Sequence, residues 1–169
     1  MRAIAALAAI LLGASCARAD GDVPGGHLYA GVGAYALSSA AGRGFGLSLE
    51  GQIEVGRVLV GGMFLLGRGG EQSLAFVGPR LGVVLLDGPV YAPYVALGVG
   101  TMAEGDILDE PVQKRALMPE VGLELFRGNR FGRVTIAAWA LLPTSHAFRS
   151  EHSDDRLDDW YGLGVRLFL

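Results

Sequence analysis

Two of the chain's three histidines, His146 and His152, stand in one polar stretch, PTSHAFRSEHSDDRLD, together with Ser145, Glu151 and Ser153. Histidine can exchange a proton near neutral pH. With a serine and a carboxylate it makes the parts of an acyl-transfer site, in which the imidazole takes the hydroxyl proton and the acid orients the ring. The spacing argues against that use. His152 and Ser153 are adjacent, so on any strand they would leave from opposite faces. In a loop they are an ordinary polar surface. His27 lies far from this group, at the head of an apolar stretch, and no catalytic residue is assigned.

Two acidic clusters raise a second possibility: Asp106, Asp109 and Glu110, and Asp154, Asp155, Asp158 and Asp159. Grouped carboxylates can hold a hard divalent cation. No twelve-residue calcium loop with a central glycine and a closing glutamate is present, so both clusters read as solvated loops and no metal is expected. The glycine pairs in GVGAYALSSAAG and in GVG at 98–100 precede no helix, and without a helix N-terminus they offer no phosphate cradle. No cofactor is expected.

The elements that would position any site are strands. In GFGLSLEGQIEVGR, residues 44–57, the apolar Phe45, Leu47, Leu49, Ile53 and Val55 alternate with Ser48, Glu50, Gln52 and Glu54. Such alternation gives a strand one apolar and one polar face. Eight segments of this kind are expected, at 27–37, 44–55, 58–67, 74–86, 90–102, 115–126, 131–142 and 159–169. They exceed the usual soluble strand of about five or six residues and match the roughly nine to eleven that a tilted strand needs to cross a bilayer.

The connections are of two kinds. Gly56-Arg57, Asp87-Gly88-Pro89 and Gly128-Asn129 are tight turns, whereas SSAAGR, RGGEQS, AEGDILDEPVQK and PTSHAFRSEHSDDRLD are longer loops. Short turns on one rim and longer loops on the other describe an up-and-down transmembrane barrel. The turn lengths also set register. They place Val60, Phe64 and Leu66 beside Ile53, Leu49 and Leu47, and Val134 and Ile136 beside Leu123 and Leu125. They likewise place Tyr91, Val95, Leu97 and Val99 beside Leu81, Val83 and Leu85.

The opposite face collects Glu50, Glu54, Arg80, Glu120, Glu124, Arg133 and Arg166, with Gln52, Tyr94 and Thr135. On a soluble sheet this face would be wet. Inside a narrow closed barrel its charges must pair with one another, with Gly98, Gly100, Gly162 and Gly164 leaving room for the long side chains. Pro79, Pro93 and Pro119 fall inside expected strands, where each lacks a ladder donor, and are expected at bulges or strand ends.

Composition agrees with a tightly packed sheet. There are 27 glycines in 169 residues, about twice the usual share, and 51% hydrophobic residues, which excludes disorder. The first nineteen residues read as a cleaved secretory signal peptide: Arg2, an apolar Ile4 to Leu12, and Ala17-Arg18-Ala19 before Asp20. The barrel domain is then 20–169. The sole cysteine, Cys16, falls in this leader without the leucine three places earlier that marks a lipid-anchor signal, so plain cleavage is expected. Without Arg2 and Arg18, 12 of the 14 basic residues remain against 17 acidic ones, a formal charge of about −5, and no nucleic-acid partner is indicated.

The last segment, DWYGLGVRLFL, alternates Tyr161, Leu163, Val165, Leu167 and Leu169 on its apolar face. It resembles the closing strand of bacterial outer-membrane barrels, with Leu169 in place of the usual final phenylalanine and Phe168 one position early. At the level of architecture the chain resembles the small eight-stranded barrels of the OmpA transmembrane-domain and OmpX type. That resemblance implies outer-membrane lipid and lipopolysaccharide as surroundings, and recognition of the closing strand by the barrel-insertion machinery. It also implies location in a Gram-negative outer membrane but no specific activity; a single copy with a structural or surface-interaction role is expected. Some such barrels are lipid A deacylases with His and Ser two apart on one strand face, a spacing that His152 and Ser153 do not have. The same strands could also enclose a narrow ion or small-solute channel or, with their faces reversed, form a soluble periplasmic lipid-binding barrel.

Overall fold

The computed structural model describes residues 26–105, 112–126, 132–144 and 158–169. Among them run eight strands: β1 (Gly26–Ser39), β2 (Gly42–Val55), β3 (Val58–Gly69), β4 (Gln72–Val84), β5 (Tyr91–Gly105), β6 (Val112–Leu125), β7 (Arg133–Pro143) and β8 (Trp160–Phe168). Each pairs antiparallel with the next, and β1 pairs with β8, so the sheet closes into a barrel with no free edge. The leader with Cys16, the Gly128-Asn129 turn, Asp106, Asp109, Glu110, Ser145, His146, Glu151, His152, Ser153, Asp154 and Asp155 lie outside the described residues.

The turn arithmetic gives the right faces throughout and the pairing itself at β2–β3, whereas β4–β5 and β6–β7 are each shifted by two residues from it. Val55 stands opposite Val58, Leu81 opposite Leu97, and Leu125 opposite Val134. The rims differ from expectation. On the loop side, SSAAGR and RGGEQS shrink to two-residue turns, because Ser39 pairs with Gly42 and Gly69 with Gln72. Gly70, at φ 60°, supplies the left-handed step that so short a turn needs. Conversely, the expected three-residue turn at 87–89 widens to a six-residue link, 85–90, closed by a Leu85 N–H donating to the Pro93 carbonyl at 2.8 Å.

The outer face is the apolar one: Leu81 is 57% exposed, Val121 57% and Leu163 60%, and water would oppose a belt of this kind. The inner face has two parts. Toward the tight turns it holds the charged residues beside a small apolar cluster of Leu59, Val84, Ala92, Tyr94 and Ala96. Toward the loops it holds an apolar core of Leu37, Leu65, Leu74, Met102, Leu141 and Trp160, so the interior is not packed by Glu and Arg throughout.

Glycines serve this inner packing differently from expectation. A Cβ on Gly162 would collide with the Trp139 indole, and one on Gly164 with Tyr35. At Gly98 and Gly100 the neighbours are Met118 and Phe76. At Gly100 and Gly164 the first atom met is a backbone carbonyl oxygen of the adjoining strand, that of Val77 and of Ala34, so the four glycines make room for neighbouring backbone and for aromatic and methionine side chains rather than for the charged ones.

Pro93, third in β5, lies near a strand end as expected, but Pro79 and Pro119 mark neither bulges nor ends. Between β4 and β5 the pairs Val77–Thr101 and Arg80–Gly98 keep one register across Pro79, with the ladder merely interrupted between them. Between β6 and β7 the same holds across Pro119, flanked by Leu117–Leu142 and Glu120–Trp139. Pro79 and Pro119 are exposed on the outer face, so the break costs a ladder bond without disturbing what fills the lumen.

Candidate functional site

Followed along the barrel axis, inward side chains at one level of a staggered barrel come from alternate strands. Here β2, β4, β6 and β8 bring Glu50, Arg80, Glu120 and Arg166 to a common level, and they form a closed ring of ion pairs across the lumen. Arg166 Nη1 donates to Glu50 Oε2 at 2.7 Å, and its Nη2 donates to Glu120 Oε1. Arg80 bridges the same two carboxylates from the opposite side, with Nη2 at 2.5 Å from Glu120 Oε1 and Nη1 at 3.4 Å from Glu50 Oε2.

Neutral groups complete the ring. Tyr35 and Ser48 hydroxyls donate to Glu50 Oε1 at 3.1 and 2.9 Å, and the Tyr94 hydroxyl donates to Glu120 Oε1 at 2.6 Å. Arg80 Nη1 also donates to Gln52 Oε1 at 3.1 Å, and Arg166 Nη2 donates to the Tyr94 hydroxyl at 2.9 Å. Such charge-assisted bonds between desolvated groups are the strong ones.

A second layer lies nearer the tight turns. Arg133 Nη1 is 2.9 Å from both oxygens of Glu124, and its Nη2 is 2.6 Å from Glu54 Oε2. Its guanidinium lies 3.7 Å from the centroid of the Tyr29 ring. All seven charged residues that alternation assigns to the inner face therefore point into the lumen, and each is buried.

Sequence reasoning missed Glu104, Tyr29 and Tyr35 as partners in the lumen. Glu104 caps the loop-side end, where Oε1 accepts the Trp160 indole N–H at 3.1 Å and Oε2 accepts the Asp158 backbone N–H at 3.0 Å. It falls in a stretch that reads as a loop, although the same-face series 96, 98, 100, 102, 104 runs up to it.

Chemically, the lumen holds charges, and among the described residues they form ion pairs rather than a reactive constellation. His27, the described histidine, is exposed at the turn-side end of β1 opposite Glu54. Among the described residues no group of three or more His, Cys, Asp or Glu could hold a metal. The five residues Tyr161, Leu163, Val165, Leu167 and Leu169 all face outward and are exposed.

A closed eight-stranded up-and-down barrel, apolar outside and ion-paired within, has the architecture of the small outer-membrane barrels. No protein-family model matches the chain, and no curated protein matches it in sequence. Among solved structures it is similar to Neisserial surface protein A, with a TM-score of 0.64 at 9% identity over 86% of this chain and 96% of that one. It is more distantly similar to the outer membrane enzyme PagL, with a TM-score of 0.48 at 11% identity over 82% and 98% of the two chains. The attachment invasion locus protein Ail of Yersinia pestis, solved with the heparin analogue sucrose octasulfate, gives 0.49 at 16% over 85% and 97%. At these identities the likeness to the Neisserial protein speaks for fold alone.

Proposed function

We propose that the protein is a monomeric, non-conducting barrel of the bacterial outer membrane that anchors and shapes the membrane and presents its loops to partners outside. The filled lumen carries this reading. Among the described residues a ring of four paired charges crosses it at one level, and an apolar core with Trp160 fills it on the loop side, which argues against an aqueous channel. A soluble lipid-binding barrel would have Leu, Val and Ile lining a cavity and the Glu/Arg face in water, the reverse of the faces described. A hydrolase would need a histidine beside a serine on one inner face, and the described residues hold no such pair. Cleavage after Ala19, surroundings of lipid and lipopolysaccharide, and use of Tyr161, Leu163, Val165, Leu167 and Leu169 by the insertion machinery belong to the same reading.

The test is expression of the full chain in a Gram-negative host, followed by detergent extraction and comparison of boiled with unboiled mobility on SDS gels. A heat-shifted outer-membrane band that gives no steps in a planar bilayer is expected. Release as a soluble periplasmic protein would overturn the membrane reading, and regular conductance steps would overturn the closed lumen.

A further inference from the structure

Three arginines point into the lumen, and each is paired with carboxylates. Three others, Arg43 on β2, Arg68 on β3 and Arg115 on β6, are exposed on the outer face near the loop-side rim. Each continues the alternation of the apolar belt by one step: Arg43 precedes Phe45, Arg68 follows Leu66, and Arg115 precedes Leu117. Their lateral neighbours carry hydroxyls, with Ser38 opposite Arg43, Ser73 opposite Arg68 and Thr101 opposite Arg115. On the turn side the outer face stays apolar up to the turns, at Val55, Val58, Leu85 and Tyr91.

Arg43 and Arg68 are the informative pair. Arg68 stands opposite Phe45, so Arg43 is its diagonal neighbour on the same face, at a Cβ separation of about 7 Å. Among the described residues neither has a carboxylate partner, and Glu71 at the tip of the adjoining turn forms no ion pair with them. Two guanidiniums on diagonal neighbours at the edge of an apolar belt repel each other, and an anion bound between them relieves that repulsion. A guanidinium fork matches phosphate oxygens bidentately.

We propose that Arg43 and Arg68, with Ser38 and Ser73 beside them, bind a phosphomonoester on the headgroup of an outer-leaflet glycolipid whose acyl chains lie on Phe45, Leu47 and Leu66 beneath. This rests on the outer-membrane reading and names the lipid contact within it. Charge selects the class. A phosphomonoester carries close to two negative charges at neutral pH, about enough to match both guanidiniums, whereas the phosphodiester of a phospholipid carries one. Lipopolysaccharide, with phosphomonoesters on its lipid A sugars, is the glycolipid of this kind.

The experiment uses the full chain in phosphatidylcholine nanodiscs doped with diphosphorylated lipid A, the same lipid after dephosphorylation, or phosphatidylglycerol. Lipid retained per barrel and the temperature at which the unboiled band converts are the readouts. Phosphorylated lipid A should be retained preferentially and should raise that temperature. In R43Q/R68Q the preference should fall on the order of tenfold, the equivalent of one charge-assisted hydrogen bond, while R57Q, at the opposite rim, should keep it. Equal retention of the dephosphorylated lipid or of phosphatidylglycerol overturns the proposal, as does an unchanged preference in the double variant. A wild-type chain that fails to enter the discs overturns the membrane reading itself, whereas one that inserts and shows no preference overturns only the phosphate site.

Discussion

Arg166 is fully buried and bridges Glu50 and Glu120, so its replacement by leucine leaves two carboxylates in a desolvated lumen with only Arg80 between them. Removing one partner of a buried charge pair costs about 3–5 kcal/mol. R166L should therefore lower the unfolding midpoint in urea, followed in detergent micelles. An unchanged midpoint with raised conductance would instead mean that the ring is loose and the lumen open. At this scale the sequence was legible in part. Alternation alone puts Glu50, Arg80, Glu120 and Arg166 on the inner face, but it does not say which carboxylate meets which guanidinium. That choice depends on the stagger of strands far apart in the chain. Tyr29 was hidden for a different reason: β1 alternates small inward glycines with small outward alanines, which gives little contrast between its faces.

The strands themselves were the most legible feature, because turn lengths and apolar alternation give the same faces independently, even where the pairing is shifted by two residues. The loop-side turns were not, since a polar run such as SSAAGR looks the same whether it loops out or continues the ladder to a tight turn. The apolar inner core was also hidden: in β7, AAWALL is apolar on both faces, so periodicity cannot say that Trp139 and Leu141 point inward. The prolines carry a prediction at this scale. Substituting valine for Pro119 supplies a backbone donor where the β6–β7 ladder is interrupted, and the added bond should stabilise the barrel by about 0.5–1.5 kcal/mol. Unfolding midpoints with hydrogen exchange along β6 and β7 would measure it. No gain would mean that packing around Met118 and Leu141, rather than the missing N–H, holds that stretch of the ladder apart.

Taken whole, the barrel is apolar where it meets its surroundings, and that makes a surface charge a test of the solvent. Leu49 faces outward near the middle of β2, and L49R should cost about 2–4 kcal/mol in folding from urea into lipid vesicles, the usual effect of arginine at the midplane of such barrels. A water-soluble barrel would tolerate the change. The ion ring has a further consequence, for the order in which the molecule is made. Glu50 and Arg166 are 116 positions apart, and Arg166 belongs to β8. A sheet laid down only as far as β6 holds Glu50 and Glu120 against the single guanidinium of Arg80, with one negative charge unmatched. The arrival of β8 supplies the missing cation in the same step that seals the seam with β1. Ring and seam are thus completed by one strand, so replacing Arg166 probes the pairing of the lumen charges and the closing of the barrel together.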